Sequence, residues 1–325
     1  MTGLLERIGV DLPLFQAGMG GGLAAHELAA AVSDAGGLGT IGFLDPASLR
    51  REVRAARQLT EKPIAVNLLL PFVRRGHWEA AAGADVVVTF WGRPRRRTER
   101  TWIHQCGSVQ EARAACAAGA DGVIAQGREA GGHVRGTLPA LALLERVRAA
   151  LPRGYPVLSA GGIADAGDVR DALAAGALAA VVGTRFLLSD ECPAHPEYKR
   201  RLLEGTETIL TELFGAGWPA AKHRVAPNAA TERWLRRDRR GPAVVRALNR
   251  VSAPLASRLP LKVVNRLAAV QRPSLPLYGP AAALEGGPEN LLDAGPLYAG
   301  ECIARIRDLR PAGEITRELA GRTAR

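Results

Sequence analysis

Short apolar runs rich in β-branched residues alternate with Ala-rich segments of helical periodicity over the first 185 residues, the pattern of repeated βα units. Eight runs read as strands: Leu12–Ala17, Leu38–Phe43, Pro63–Leu69, Asp85–Phe90, Thr101–Cys106, Gly122–Gln126, Pro156–Ala160 and Ala179–Gly183. Helices are predicted over His26–Ala35, Pro46–Leu59, Val109–Ala118, Leu138–Leu151 and Asp165–Ala175. Two connections break the rhythm. Trp91–Arg100 contains Pro94 and three arginines from Arg95 and predicts no full helix, and Leu70–Ala84 is compressed. Eight parallel strands with right-handed crossovers close most naturally into a (β/α)8 TIM barrel.

After Arg185 the alternation stops, and from about Thr206 the chain is helical, proline-punctuated and basic. The predicted division is a barrel over residues 1–205, a smaller, mainly helical lid over 206–285, and a helical C-terminal segment over 286–325 that returns to the barrel. A chain of 325 residues with 47% hydrophobic content can bury a large core. No apolar run approaches the roughly 20 residues that span a bilayer. The N-terminal stretch holds Glu6 and Asp11 and no signal-peptide core, so a cytoplasmic location is expected, with no membrane partner. Cys106, Cys116, Cys192 and Cys302 lack metal-ligand spacing and read as free thiols.

The charge is uneven. Between Lys222 and Arg272 thirteen basic residues face only Glu232 and Asp238, which equals the whole formal excess of +11. This segment is a solvated helix face, a polyanion-binding face or a field that draws in small anions. No zinc-finger or aromatic-interleaved motif accompanies it, so nucleic acid is not an expected partner.

The stretch AQGREAGGHVRG, Ala125 to Gly136, carries the sharpest chemistry. It sets His133 beyond two glycines, where an apolar strand gives way to a loop at the C-terminal rim of the barrel. A histidine there is either a solvated loop residue or a proton acceptor and donor for a ligand. The first strand runs into Gln16, Ala17, Gly18, Met19 and three further glycines, a turn with room for a flat ligand such as a flavin ring, or simply a flexible loop. Strands seven and eight end in Gly161, Gly162 and in Val182, Gly183, Thr184, where such barrels hold phosphate; tight βα turns are the plainer alternative. Asn67, Gln105 and Gln126 place amides at strand ends, where a cofactor edge or a neighbouring backbone group must satisfy them. No G-x-G-x-x-G or Walker loop is present, which favours a mononucleotide over a dinucleotide as the cofactor.

In this order the motifs QAGMGGG, ELAAAVSDAGGLGTIG, VNLLLP, AQGREAGGH, PVLSAGGIAD, VVGTRFL and LYAGE resemble the nitronate monooxygenases, FMN-dependent barrels, over most of the chain. The resemblance implies FMN contacts by Ala17, Gly18, Met19, Asn67, Gln105, Gln126, Gly131, Gly161, Gly162, Val182, Gly183 and Thr184, and no metal. It implies His133 as the catalytic base, and oxidation of a small anionic nitronate or a nitroalkane with O2 to a carbonyl compound and nitrite. Val134 separates His133 from Arg135 and Gly136, where the family motif continues directly with Arg and Gly. The segment GTRFLLSDECPAHP is equally similar to flavin barrels that oxidise NAD(P)H, including quinone reductases and a flavin-dependent enoyl-acyl-carrier-protein reductase. In that alternative the basic lid steers the phosphates of the reduced nicotinamide. A binding protein that keeps the pocket without turnover is the third possibility.

Overall fold

The computed structural model describes residues 3–216, 218, 221–256 and 268–322. Its strands, in chain order, are β1 (Leu14–Gln16), β2 (Gly39–Ile41), β3 (Ile64–Leu69), β4 (Val86–Phe90), β5 (Thr101–Cys106) and β6 (Gly122–Gln126). They continue with β7 (Gly132–Val134), β8 (Val157–Ala160), β9 (Ala180–Val182), β10 (Ile209–Thr211), β11 (Lys222–Ala226) and β12 (Leu297–Tyr298). Eight of them form one parallel sheet in the order β1, β9, β8, β6, β5, β4, β3, β2. A parallel bridge between Phe15 and Leu38 closes it into a barrel.

The inward side chains of Phe15, Ala65, Val88, Ile103, Ile124 and Val181 belong to one buried cluster with Leu4 and Ile8. The short helix Leu4–Ile8, which no periodicity announced, therefore plugs the N-terminal end and leaves the opposite rim open for a ligand. The five predicted helices all form, within two residues of their expected bounds. Pro46–Leu59 starts where it does because the Asp45 carboxylate accepts from Ala47 and Ser48 amides and Pro46 pre-sets the first turn. The compressed segment folds as a 3-10 turn, Leu70–Phe72, and a seven-residue helix, Arg75–Ala81. Between β4 and β5 no helix forms, and Arg96 instead reaches Asp121.

Ile315 and Leu319 of helix Ala312–Leu319 pack with Leu28 and Val32 of helix His26–Asp34, completing the outer ring beside β1. The preceding region is less purely helical than its sequence suggests. Alongside the helices Ala229–Trp234 and Ala243–Ala256 it contributes β10 and β11, and β11 pairs antiparallel with β10, β12 and β7. Both β10 and β11 are short and stand outside the βα repeat, so the pattern that marked the barrel strands does not mark them. Of the basic residues here, Arg258, Lys262 and Arg266 lie outside the described residues. Arg224, Arg240 and Arg246 pair with Glu301, Glu212 and Asp238, so part of the excess charge is tied into the fold.

Candidate active site

A cavity of about 1090 Å³ opens at the C-terminal rim, and every site residue singled out from the sequence lines it. The first turn is held by Gln16, whose amide donates to the Ala17 carbonyl while its Oε1 accepts from Thr40 N at 2.8 Å. Gly18 admits no side chain, because a Cβ would sit 2.3 Å from that of Asn67. Asn67 is buried, yet its amide has no hydrogen-bond partner among the described residues, and the same holds for Gln105. Both amides border the cavity and remain free for a ligand edge.

Gly161 and Gly162 take φ of 117° and 77°, and Thr184 follows Gly183 beyond β9. The backbone amides of Gly161, Gly162 and Thr184 find no acceptor among the described residues, as an anion cradle requires. Thr184 Oγ1 accepts from Gly300 N at 2.8 Å, which leaves its proton to donate. At the helix beginning at Ala166 the amides of Gly167 and Asp168 are already taken. Asp165 and Asp168 cap it with their own carboxylates, and Arg305 pairs with both, so the anion site rests on the glycine turn and not on that helix start.

Gln126 lines the cavity and is also tied to the strand that follows it. Its Nε2 donates to the His133 carbonyl at 2.9 Å and its Oε1 accepts from Arg135 N at 3.1 Å. His133 itself sits on a strand, not a loop: β7 pairs with β11, setting His133 opposite His223. Val134, the residue that interrupts the family motif, is buried in β7. Gly131 packs so closely on Ala299 and Gly300 that a Cβ would lie 2.6 Å from Gly300 N.

The His133 ring stacks on Trp218 with centroids 3.7 Å apart and planes at 20°, and it meets Trp91 edge-on at 6.1 Å. His223 and Tyr298 stand at 5.7 and 5.6 Å. His133 Nε2 is shut off from solvent and has no protein partner among the described residues. Burial, followed by repulsion from His223, holds its pKa well below the ordinary 6.5, so the imidazole is neutral. His223 is neutral too, pushed down to about 4 by burial. Its Nδ1 lies 3.1 Å from the Ala221 carbonyl, to which it donates, and its Nε2 accepts from Phe214 N. Burial pushes the Tyr298 hydroxyl up, and that hydroxyl donates to the Pro280 carbonyl, so it is no competing base.

Sequence reasoning missed Trp218, Trp91 and His223. Trp91 combines φ of 64° with the Arg135 guanidinium 4.8 Å over its ring, and Arg135 is anchored in turn by Glu111. The available signal was a lone tryptophan among small residues, GAGWPAA, in a segment otherwise read as lid.

An α/β barrel with a neutral histidine and a phosphate-sized glycine cradle on one cavity at its C-terminal rim is the frame of a cofactor-dependent enzyme. The chain belongs to the nitronate monooxygenase family, whose model matches residues 2–88 and 94–321, and it is an oxidoreductase. It is 34% identical to the nitronate monooxygenase of Pseudomonas aeruginosa over 271 residues, 66% of this chain and 76% of that one. It is 32% identical over 246 residues, 71% of this chain and 68% of the other, to a (3aS,4S,5R,7aS)-5-hydroxy-7a-methyl-1-oxo-octahydro-1H-indene-4-carboxyl-CoA dehydrogenase of Mycobacterium tuberculosis. Two solved structures share the whole fold. FabK from Thermotoga maritima superposes with a TM-score of 0.77 at 26% identity, covering 99% of this chain and 96% of that one. The nitroalkane oxidase from Streptomyces ansochromogenes gives 0.75 at 28%, covering 99% and 97%.

Proposed function

We propose that the protein binds FMN in this cavity and oxidises alkyl nitronates, taken up as such or formed from nitroalkanes, with O2 to carbonyl compounds and nitrite. The observation that carries the reading is His133: an enclosed, neutral imidazole whose Nε2 lacks a protein partner, on the same cavity as the glycine cradle. FMN fits that cavity. The free amides of Gly161, Gly162 and Thr184 would receive its phosphate, Gly18 leaves the first turn flat, and Asn67 and Gln105 would meet polar ring edges. Met19, Val182 and Gly183 complete the lining. When bound, the flavin would take electrons from the substrate and hand them to O2, chemistry no side chain supplies.

His133 accepts the α-proton of a neutral nitroalkane on its imidazole, Gln126 fixes the strand that carries it, and Trp218 excludes water from its face. The basic residues of 206–285, as a lid, draw in the anionic nitronate. The four unpaired thiols suit a reducing cytoplasm. No helix among the described residues is long and apolar enough to cross a membrane.

A second reading, an NAD(P)H-dependent quinone reductase or enoyl-acyl-carrier-protein reductase on the same barrel, fits the FabK neighbour. The family match and the nitroalkane oxidase neighbour put nitronate oxidation first. Anaerobic flavin absorbance separates the two. Bleaching by propionate 3-nitronate alone supports oxidation of nitronates, and rapid bleaching by NADH or NADPH overturns it.

A further inference from the structure

We infer that the substrates of this enzyme carry an extended apolar body, seated along an aromatic wall that leads from His133 out of the barrel. The inference rests on the proposed nitronate reading and adds the substrate class. Ring contacts run without interruption from His133 to Trp218 (3.7 Å), to Phe72 (5.0 Å), to Phe43 (6.3 Å) and to His77 (4.9 Å). All five rings line the one cavity. So do Val270, Leu275 and Leu277, which are 64%, 54% and 54% exposed although apolar. Apolar side chains left open to water along a cavity form a surface that a ligand covers.

Size points the same way. Pockets for one drug-sized ligand span roughly 300–1,000 Å³, and this cavity of about 1090 Å³ exceeds them. A mononucleotide and a nitroalkane of two or three carbons would leave the Phe43, Phe72, Leu275 and Leu277 end unfilled. An alkyl chain or fused ring attached to the reacting carbon fills it, with the planar anionic head at His133.

Straight-chain carboxylates provide the probe, because a carboxylate, like a nitronate, is a planar anion with two oxygens on one sp² atom and does not turn over. Butanoate through dodecanoate are titrated calorimetrically into the purified holoenzyme. Affinity is expected to rise about threefold per methylene, a little under the full burial value of about fourfold. The rise should flatten in Leu275→Asp/Leu277→Asp, whose exposed positions leave the core intact, and in Phe72→Ala. Affinity independent of chain length, no binding of dodecanoate, or an unchanged slope in both variants overturns the inference. Since no turnover is involved, a failed nitronate assay leaves this result standing, and a flat series leaves nitronate oxidation standing.

Discussion

Gln126 and His133 are joined side chain to backbone: the glutamine at the end of β6 donates to the His133 carbonyl at 2.9 Å and accepts from Arg135 N at 3.1 Å. The barrel thus grips the strand that carries His133, the proposed base, at two points, one on either side of Val134. Gln126→Ala should lower kcat about 10- to 100-fold, as displacement of a reacting group by about 1 Å does, with FMN content unchanged. Gln126→Glu, which keeps the acceptor for Arg135, should recover part of the loss. Equal damage in both variants would refute a positioning role.

Replacing the base separates its two possible substrates. In His133→Asn the oxidation of neutral nitroalkanes should fall about 10²- to 10⁴-fold, whereas preformed nitronates, which need no proton removed, should lose far less. Rates with nitroethane and ethyl nitronate, measured on the same flavin-loaded sample, decide it. Parallel losses would remove proton abstraction from the account.

Trp218 keeps His133 out of water, and this should be visible in the pH profile. The base works only when neutral, and burial depresses its pKa well below 6.5, so the wild-type enzyme should show no His133 limb as the pH falls through 6. Trp218→Ala exposes the ring and lets the pKa climb back towards 6.5. An acid limb near pH 6 in kcat/KM of the variant is the expected result, and superimposable profiles would contradict it.

The cradle depends on Gly161, whose φ of 117° is strained for any residue with a side chain and whose Cβ would lie 3.2 Å from Ala130 N. Gly161→Val should purify with little flavin, read from the absorbance ratio at 450 and 280 nm, the wavelengths being about those of flavin and protein in general. Full occupancy would move the phosphate elsewhere. Gly21→Ala, at φ of 71° in open space, provides the contrast: similar backbone strain with the cofactor retained.

Stability should fall on acidification. His104 and His223 are pushed down to about 4 by burial in the folded chain and titrate near 6.5 when unfolded. The unfolded chain therefore binds more protons between those values, so stability is full above pH 6.5 and is lost as the pH falls towards 4. The loss is on the order of 3 kcal/mol per histidine. Denaturant midpoints at pH 7 and pH 5 test the sign, and a higher midpoint at pH 5 would reverse it.

The barrel was legible because strands such as Val86–Phe90, Gly122–Gln126 and Ala180–Val182 are short apolar runs, and the five helices of nine to fourteen residues that alternate with the strands span enough turns to show a period. The helix Leu4–Ile8 and strands β7, β10, β11 and β12 were not, because each is short and supernumerary to the βα repeat that marked the barrel strands. Of the glycines singled out, Gly18 packs against Asn67 and Gly161 and Gly162 take positive φ. The partners of His133 could not be read: Trp218 and His223 reach it only through the pairing of β7 with β11, and nothing local in either segment encodes that long-range register.

That pairing also orders events in time. All eight barrel strands, with the glycine turns at 18, 161 and 162, are synthesised before β11 emerges, and chains fold from the N-terminus as they are made. A nascent molecule paused after β9 would hold the complete strand set of the barrel but have nothing to fix the outer edge of β7. The pairing that sets His133 opposite His223 is therefore completed late in the life of the growing chain, after the barrel strands and glycine turns have been made.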